Sequence, residues 1–119
     1  MHELAVCQAL IEQVEQVARA QHGQRVEYIE VSVGPLSGVE PQLLQQAFPL
    51  AAAGSLAEFA QLHIESLPVR VHCDSCDSDS DASANRLVCS HCGNWRTRLL
   101  SGDELLLTRI EIIREQAHV

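Results

Sequence analysis

Four cysteines in two close pairs constrain this chain more than any other feature: Cys73-x2-Cys76 and Cys89-x2-Cys92, separated by twelve residues. Two Cys-x-x-Cys pairs, each at the tip of a tight turn, can present four sulfurs tetrahedrally. Zn²⁺ accepts that arrangement at about 2.3 Å per Zn–S bond. Gly93, directly after Cys92, suits the chain reversal such a tip needs. A redox dithiol needs only one such pair, so two at ribbon spacing favour zinc. All four coordination positions are filled by protein, which points to a structural ion rather than a catalytic one. The loop between the pairs, DSDSDASANR, carries nothing apolar larger than Ala before Leu87. It reads as a solvated linker, and metal binding is expected to fold this module. His72 and His91 flank the thiols and read as solvated surface residues, and Trp95 reads as a shield over the site.

The charge balance excludes one large class. Net charge is −8, and every basic residue is Arg. Phosphate-backbone binding needs clustered positive charge, and no stretch here supplies it, so nucleic acid is not an expected partner. No run of 18 apolar residues exists, so no membrane span is expected. The first segment opens with an acid and lacks a basic n-region, so it does not read as a signal peptide. A cytoplasmic location is expected, where paired cysteines hold metal rather than disulfides. No constellation of nucleophile, base and oxyanion donors is visible, so an enzyme is not expected.

Around the cysteines the periodicities place ordinary elements. Leu4, Leu10, Ile11, Val14, Val17 and Ala18 recur at helical spacing over 3–21, with Gly23 as a stop. Cys7 falls on that apolar side and reads as a small buried hydrophobe. Residues 25–33, RVEYIEVSV, alternate as a strand. Pro41 suits the first turn of a second helix over 41–53, with Glu40 beside its start and Pro49 expected to kink or shorten it. Residues 61–71 read as a strand interrupted at Pro68. Residues 104–113 read as a third long strand. His22 and His63 read as surface or strand residues. The fold class expected is α+β: two helices packed on a small mixed three-stranded sheet, with an inserted zinc-ribbon-like module. The expected division is a nickel-binding α/β domain at 1–71 and 99–119 and a zinc-binding module at 72–98.

Nickel enters that division through the first residues, Met1-His2-Glu3, whose histidine taken alone reads by default as a solvated terminal residue. A histidine at position 2 can chelate through the terminal amine, its own deprotonated amide nitrogen and its imidazole, in fused five- and six-membered rings. Square-planar nitrogen ligation suits Ni²⁺ or Cu²⁺ rather than Zn²⁺. The fourth corner stays open to Glu3, Glu40 or a partner's residue, and an incomplete shell lets a carrier release its ion. Glu40 reads by default as a helix-start acid.

Nearly the whole chain resembles the HypA/HybF family of hydrogenase nickel-incorporation proteins. MHELAVCQAL matches the family's opening on a first helix. VEYIEVSVGPLSGVEPQLL matches its strand, Gly-x-Leu-Ser turn and following Val-Glu. LHIESLPVRVHCDSC matches the strand entering the first cysteine pair. CSHCG and SGDELLLTRIEI match the second pair and the Gly-x-x-Leu strand. The chain departs at Asp77, where the family often has Gly, and at Ser90, where it often has Pro. Arg98 stands near where some relatives place a further nickel-binding histidine. The resemblance implies a metallochaperone for [NiFe]-hydrogenase maturation, binding nickel at His2 with assistance from Met1 and Glu3. It implies as partners the nickel-handling GTPase of the same pathway and the large hydrogenase subunit, with urease maturation factors for some relatives. The competing reading is a zinc-ribbon interaction module with no nickel role.

Overall fold

A computed structural model describes residues 2–114. In chain order the elements are α1 (His2–Ala20), β1 (Arg25–Val33), α2 (Pro41–Ala52), β2 (Gln61–Ser66), β3 (Val69–Cys73), β4 (Asp79–Ala82), β5 (Thr97–Ser101) and β6 (Leu105–Ile113). Two helices and two three-stranded sheets result, with strand orders β2-β1-β6 and β4-β3-β5. The chain divides into two compact units. One comprises Met1–Val31, Glu40–Ile64 and Leu107–Val119; the other comprises Ser32–Val39 and Glu65–Leu106.

In the first unit, α1 buries Cys7, Leu10, Ile11, Val14 and Ala18 on one stripe, and α2 buries Leu44, Phe48 and Ala52. These stripes recur at three- and four-residue steps, the spacing that lets two helices pack along a shared apolar seam. Cys7 is fully buried there, and its thiol donates to the Leu44 carbonyl at 3.4 Å. The helix α1 ends where the Gly23 amide donates back to Ala18 at 2.7 Å. Pro49 does not shorten α2, which runs one turn past it to Ala52. Burial of Phe48 and Ala52 on either side of the proline holds that last turn in place.

The second unit differs most from the sequence reading. The predicted strand over 61–71 is two strands in two different sheets, divided at Leu67-Pro68. A proline cannot donate to a ladder, so pairing stops there. The interpair loop is not wholly a linker either: β4 pairs antiparallel with β3, setting Arg70 opposite Asp81, Val71 opposite Ser80 and His72 opposite Asp79. On the other side β5 pairs with β3, with a register shift between Arg70 and Val71. The buried apolar residues of this unit are Val33, Val39, Val69, Val71, Cys73 and Cys89.

Two glycines tie the unit together. Gly34 donates to the Glu104 carbonyl at 2.8 Å, and Leu36 donates to the Gly102 carbonyl at 2.6 Å. A Cβ on Gly34 would lie 2.1 Å from the Gly102 oxygen, so only glycine permits this approach.

Candidate metal centres

The end of β3 delivers Cys73, and the turn after it delivers Cys76. That turn is closed by the Asp77 amide donating to Cys73 O at 2.9 Å and the Cys73 amide donating to Ser78 O at 2.8 Å. The second turn repeats the pattern: the Gly93 amide donates to Cys89 O at 2.8 Å, and the Cys89 amide donates to Asn94 O at 2.9 Å. Two equivalent knuckles therefore face each other. In each, the residue after the second cysteine has positive φ, +55° at Asp77 and +74° at Gly93. Asp is among the few side-chain residues that adopt this region readily, which explains how Asp77 replaces a glycine.

All four sulfurs lie within 4.8 Å of one another, with Cys73–Cys92 and Cys76–Cys89 both at 3.6 Å. Tetrahedral bonds of 2.3 Å put neighbouring sulfurs about 3.8 Å apart. A disulfide needs about 2.05 Å. The tetrad thus fits a tetrahedral ion and no disulfide, and its all-thiolate donor set suits zinc. Without metal its protons are unevenly held. The Cys92 and His91 amides and the neighbouring thiols bring Cys89 down to about 6, against a rise from burial. Cys92 is pushed up to about 12: the Asn94 amide opposes the rise, but the Cys73, Cys76 and Cys89 thiols and burial outweigh it. A 2+ ion removes that conflict by taking all four as thiolates. Cys73 and Cys89 are buried, whereas Cys76 and Cys92 are exposed.

Two of the flanking residues, His72 and Trp95, are placed differently from their sequence reading. His72 is clamped: Nε2 lies 3.0 Å from Asp77 and Nδ1 2.7 Å from Asp79. The Asp79 hydrogen bond raises its pKa, with burial acting the other way. His91 is exposed, as expected. Trp95 does not shield the sulfurs. It is 73% exposed, with the Arg96 guanidinium 5.5 Å from its ring centroid.

At the other predicted centre, α1 begins at His2, which is exposed. Met1 lies outside the described residues. The Glu3 carboxylate accepts from the Glu40 amide at 3.2 Å. That donor holds Glu3 below the ordinary carboxylate value of 4.5, against a smaller upward push from burial. Glu40 is the N-cap of α2, its own carboxylate accepting from the Gln42 amide at 3.4 Å. Glu3 and Glu40 are thus brought together, with the Glu40 side chain turned to its own helix.

Comparison with known proteins decides the family. Residues 1–112 match the profile described as hydrogenase/urease nickel incorporation, metallochaperone, hypA. The chain belongs to the HypA family. A hydrogenase maturation factor HypA from Nitrosospira multiformis is 45% identical over 113 residues, covering 95% of this chain and 98% of that protein. One from Aquifex aeolicus is 35% identical over 112 residues, covering 94% and 97%. Among solved structures, the solution structure of the Ni metallochaperone HypA from Helicobacter pylori has a TM-score of 0.69 at 25% identity, covering 95% of this chain and 98% of that one. HypA proteins are nickel metallochaperones of hydrogenase maturation, and the four-cysteine site of this member fits a structural zinc ion. Among the described residues no helix is long and apolar enough to cross a membrane.

Proposed function

We propose that this HypA protein carries nickel on its first residues, in its first compact unit, and keeps zinc permanently in its second. The observation that carries the reading is that α1 begins at His2. The first N–H groups of a helix have no partner within it. Deprotonating the His2 amide to bind a metal therefore breaks no helical hydrogen bond. The positive end of the helix dipole favours the anionic nitrogen so formed. Amine, amide and imidazole nitrogens then hold Ni²⁺ in a plane, with Met1 and Glu3 backbone atoms beside it and the fourth corner open. Glu40 serves first as a helix cap and lies close enough, through Glu3, to assist. An open corner allows a recipient's ligand to attack the ion before the carrier lets go. The recipients that fit the family's role are the GTPase of the pathway, the hydrogenase large subunit and urease maturation factors, all in the cytoplasm. The chain itself performs delivery rather than catalysis.

The test compares the native chain, His2→Ala and a form extended by one residue before Met1. Nickel titration is followed by calorimetry and by the absorbance of planar Ni²⁺. Both changed forms are expected to lose the planar species while keeping helical circular dichroism and one zinc. Equal nickel uptake by all three would remove the amino terminus from the mechanism.

A further inference from the structure

The helix α2 carries two apolar stripes. One, Leu44, Phe48 and Ala52, is buried. The other is open: Leu43 is 48% and Leu50 71% exposed, with half-buried Ala47 between them. Leu43, Gln46, Ala47 and Leu50 recur at helical spacing and share one face. With Glu3 and Leu4 of α1 they line a cavity of about 180 Å³. Small-molecule sites begin at roughly 300 Å³, so this groove suits a few apolar side chains instead. From Pro41 to Ala57 the chain carries no charged residue, although 20% of all its residues are charged. Loss of charge around exposed leucines marks the core of an interface rather than a solvated helix. We propose that this groove seats an amphipathic helix of a protein partner, apolar on the face it buries and basic at its flanks.

Shape and charge together choose that occupant. The walls are two helices, so a third can lay a ridge of side chains between them, with anchors at i, i+3, i+4 and i+7. Neither wall offers a strand edge to an extended peptide. The charge is of one sign. Glu3 lines the groove, and its carboxylate accepts from the amide of Glu40, the N-cap of α2, which sets two acidic residues at one end. The helix α1 adds Glu12 and Glu15, and its one base, Arg19, lies in the last turn and pairs with Glu15 at 3.6 Å. Lysine or arginine beside an apolar stripe complements these acids. A second copy would bring the same carboxylates together on chains of net charge −8. An anionic membrane surface would be repelled in the same way.

The inference rests on the nickel reading for its purpose alone. Glu3 follows His2, so a recipient seated in the groove stands beside the open corner of the chelate. The seating itself needs no nickel.

The probe is a synthetic helical peptide with leucine at i, i+3, i+4 and i+7 and lysine elsewhere. It is titrated into zinc-loaded, nickel-free, ¹⁵N-labelled protein, and a second peptide replaces every lysine with glutamate. The lysine peptide is expected to shift the amide signals of Leu4, Leu43, Ala47 and Leu50 most, and the glutamate peptide to bind roughly tenfold or more weakly. Leu43→Gln and Leu50→Gln, each at an exposed position, should each weaken the lysine peptide roughly tenfold. Shifts centred elsewhere, equal binding of the two peptides, or unchanged affinity in both variants overturns the site. Groove signals that move with protein concentration alone would give the groove to a second copy, and binding to phosphatidylserine vesicles that Leu50→Gln abolishes would give it to a membrane; either result overturns the proposal. Because no nickel is present, failure of the amino-terminal chelate leaves this result standing, and failure of the groove leaves the chelate standing.

Discussion

Replacing Gly34 with Ala tests the contact that closes the second unit. The new Cβ would sit 2.1 Å from the Gly102 oxygen, 2.2 Å from its carbonyl carbon and 2.8 Å from the Asp103 nitrogen. All three are backbone atoms, so no side chain can swing away. An ordinary C···O contact is about 3.3 Å or more, so the two segments must part by roughly 1.2 Å. That takes the Gly34–Glu104 and Leu36–Gly102 hydrogen bonds, 2.8 and 2.6 Å in the native chain, to about 4 Å, beyond bonding range. Both glycines are buried, so the freed groups do not simply pass to water. Two such bonds weakened in a buried place cost about 2–4 kcal/mol. Gly38 provides the control: it has φ +81° with nothing within 4 Å of a Cβ. Gly38→Ala meets only the left-handed penalty of about 1–2 kcal/mol, partly offset by a less flexible unfolded chain. Urea unfolding of zinc-loaded protein measures both, and hydrogen exchange at the Leu36 amide reads the contact directly. If Gly34→Ala is no less stable than Gly38→Ala and Leu36 stays protected, the argument from close approach is wrong.

Three further outcomes follow from the sites. Cys76→Ser should release the zinc and expose the Val71 and Ser80 amides to exchange while α1 stays helical; a full equivalent of zinc with unchanged protection would refute the tetrathiolate. Burial, with help from Glu3, pushes the Cys7 thiol up to about 11, so at pH 8 only about one molecule in a thousand carries the reactive thiolate. Thiol labelling of metal-stripped protein should therefore show four cysteines reacting and a fifth only after unfolding; five reacting together would show that Cys7 is open. Glu3 has its folded pKa lowered by the Glu40 amide, so its contribution is full above the unfolded value of 4.5 and is lost as pH falls through the lower folded value. The Glu40 amide shift should titrate with a midpoint below 4.5, and a midpoint at or above it contradicts the bond.

Much of the fold was legible because its signals are local. Helical spacing over 3–21 places α1, alternation over 25–33 matches β1 in both bounds, and the apolar run near 104–113 gives β6. The strand β4 was missed because its residues, Asp79–Ala82, have no apolar side chain larger than Ala. A signal was present nonetheless. Val69-Arg70-Val71-His72 alternates apolar with basic, and Asp79-Ser80-Asp81-Ala82 alternates acidic with small. Paired antiparallel, the acids meet the bases, Arg70–Asp81 at 2.6 Å and His72–Asp79 at 2.7 Å, while Ser80 fits beside Val71 in the interior. Reading either segment alone loses this, because a cross-strand pair is a property of two segments. Likewise the Gly-x-Leu-Ser and Gly-x-x-Leu motifs, matched separately as family marks, turn out to be two sides of one backbone contact.

The zinc centre and the proposed nickel chelate leave different traces in the sequence for a physical reason. A tetrahedral sulfur cage needs two chain reversals brought together from residues sixteen apart in sequence, as Cys73 is from Cys89, so its spacing is visible in the letters and its geometry in the fold. The proposed nitrogen chelate asks almost nothing of tertiary structure, because its donors belong to consecutive residues. What the fold contributes there is a boundary. A helix that starts at His2 leaves that residue's amide without a partner inside the helix. The zinc centre thus rests on what the fold assembles, and the proposed nickel chelate on where the first helix begins.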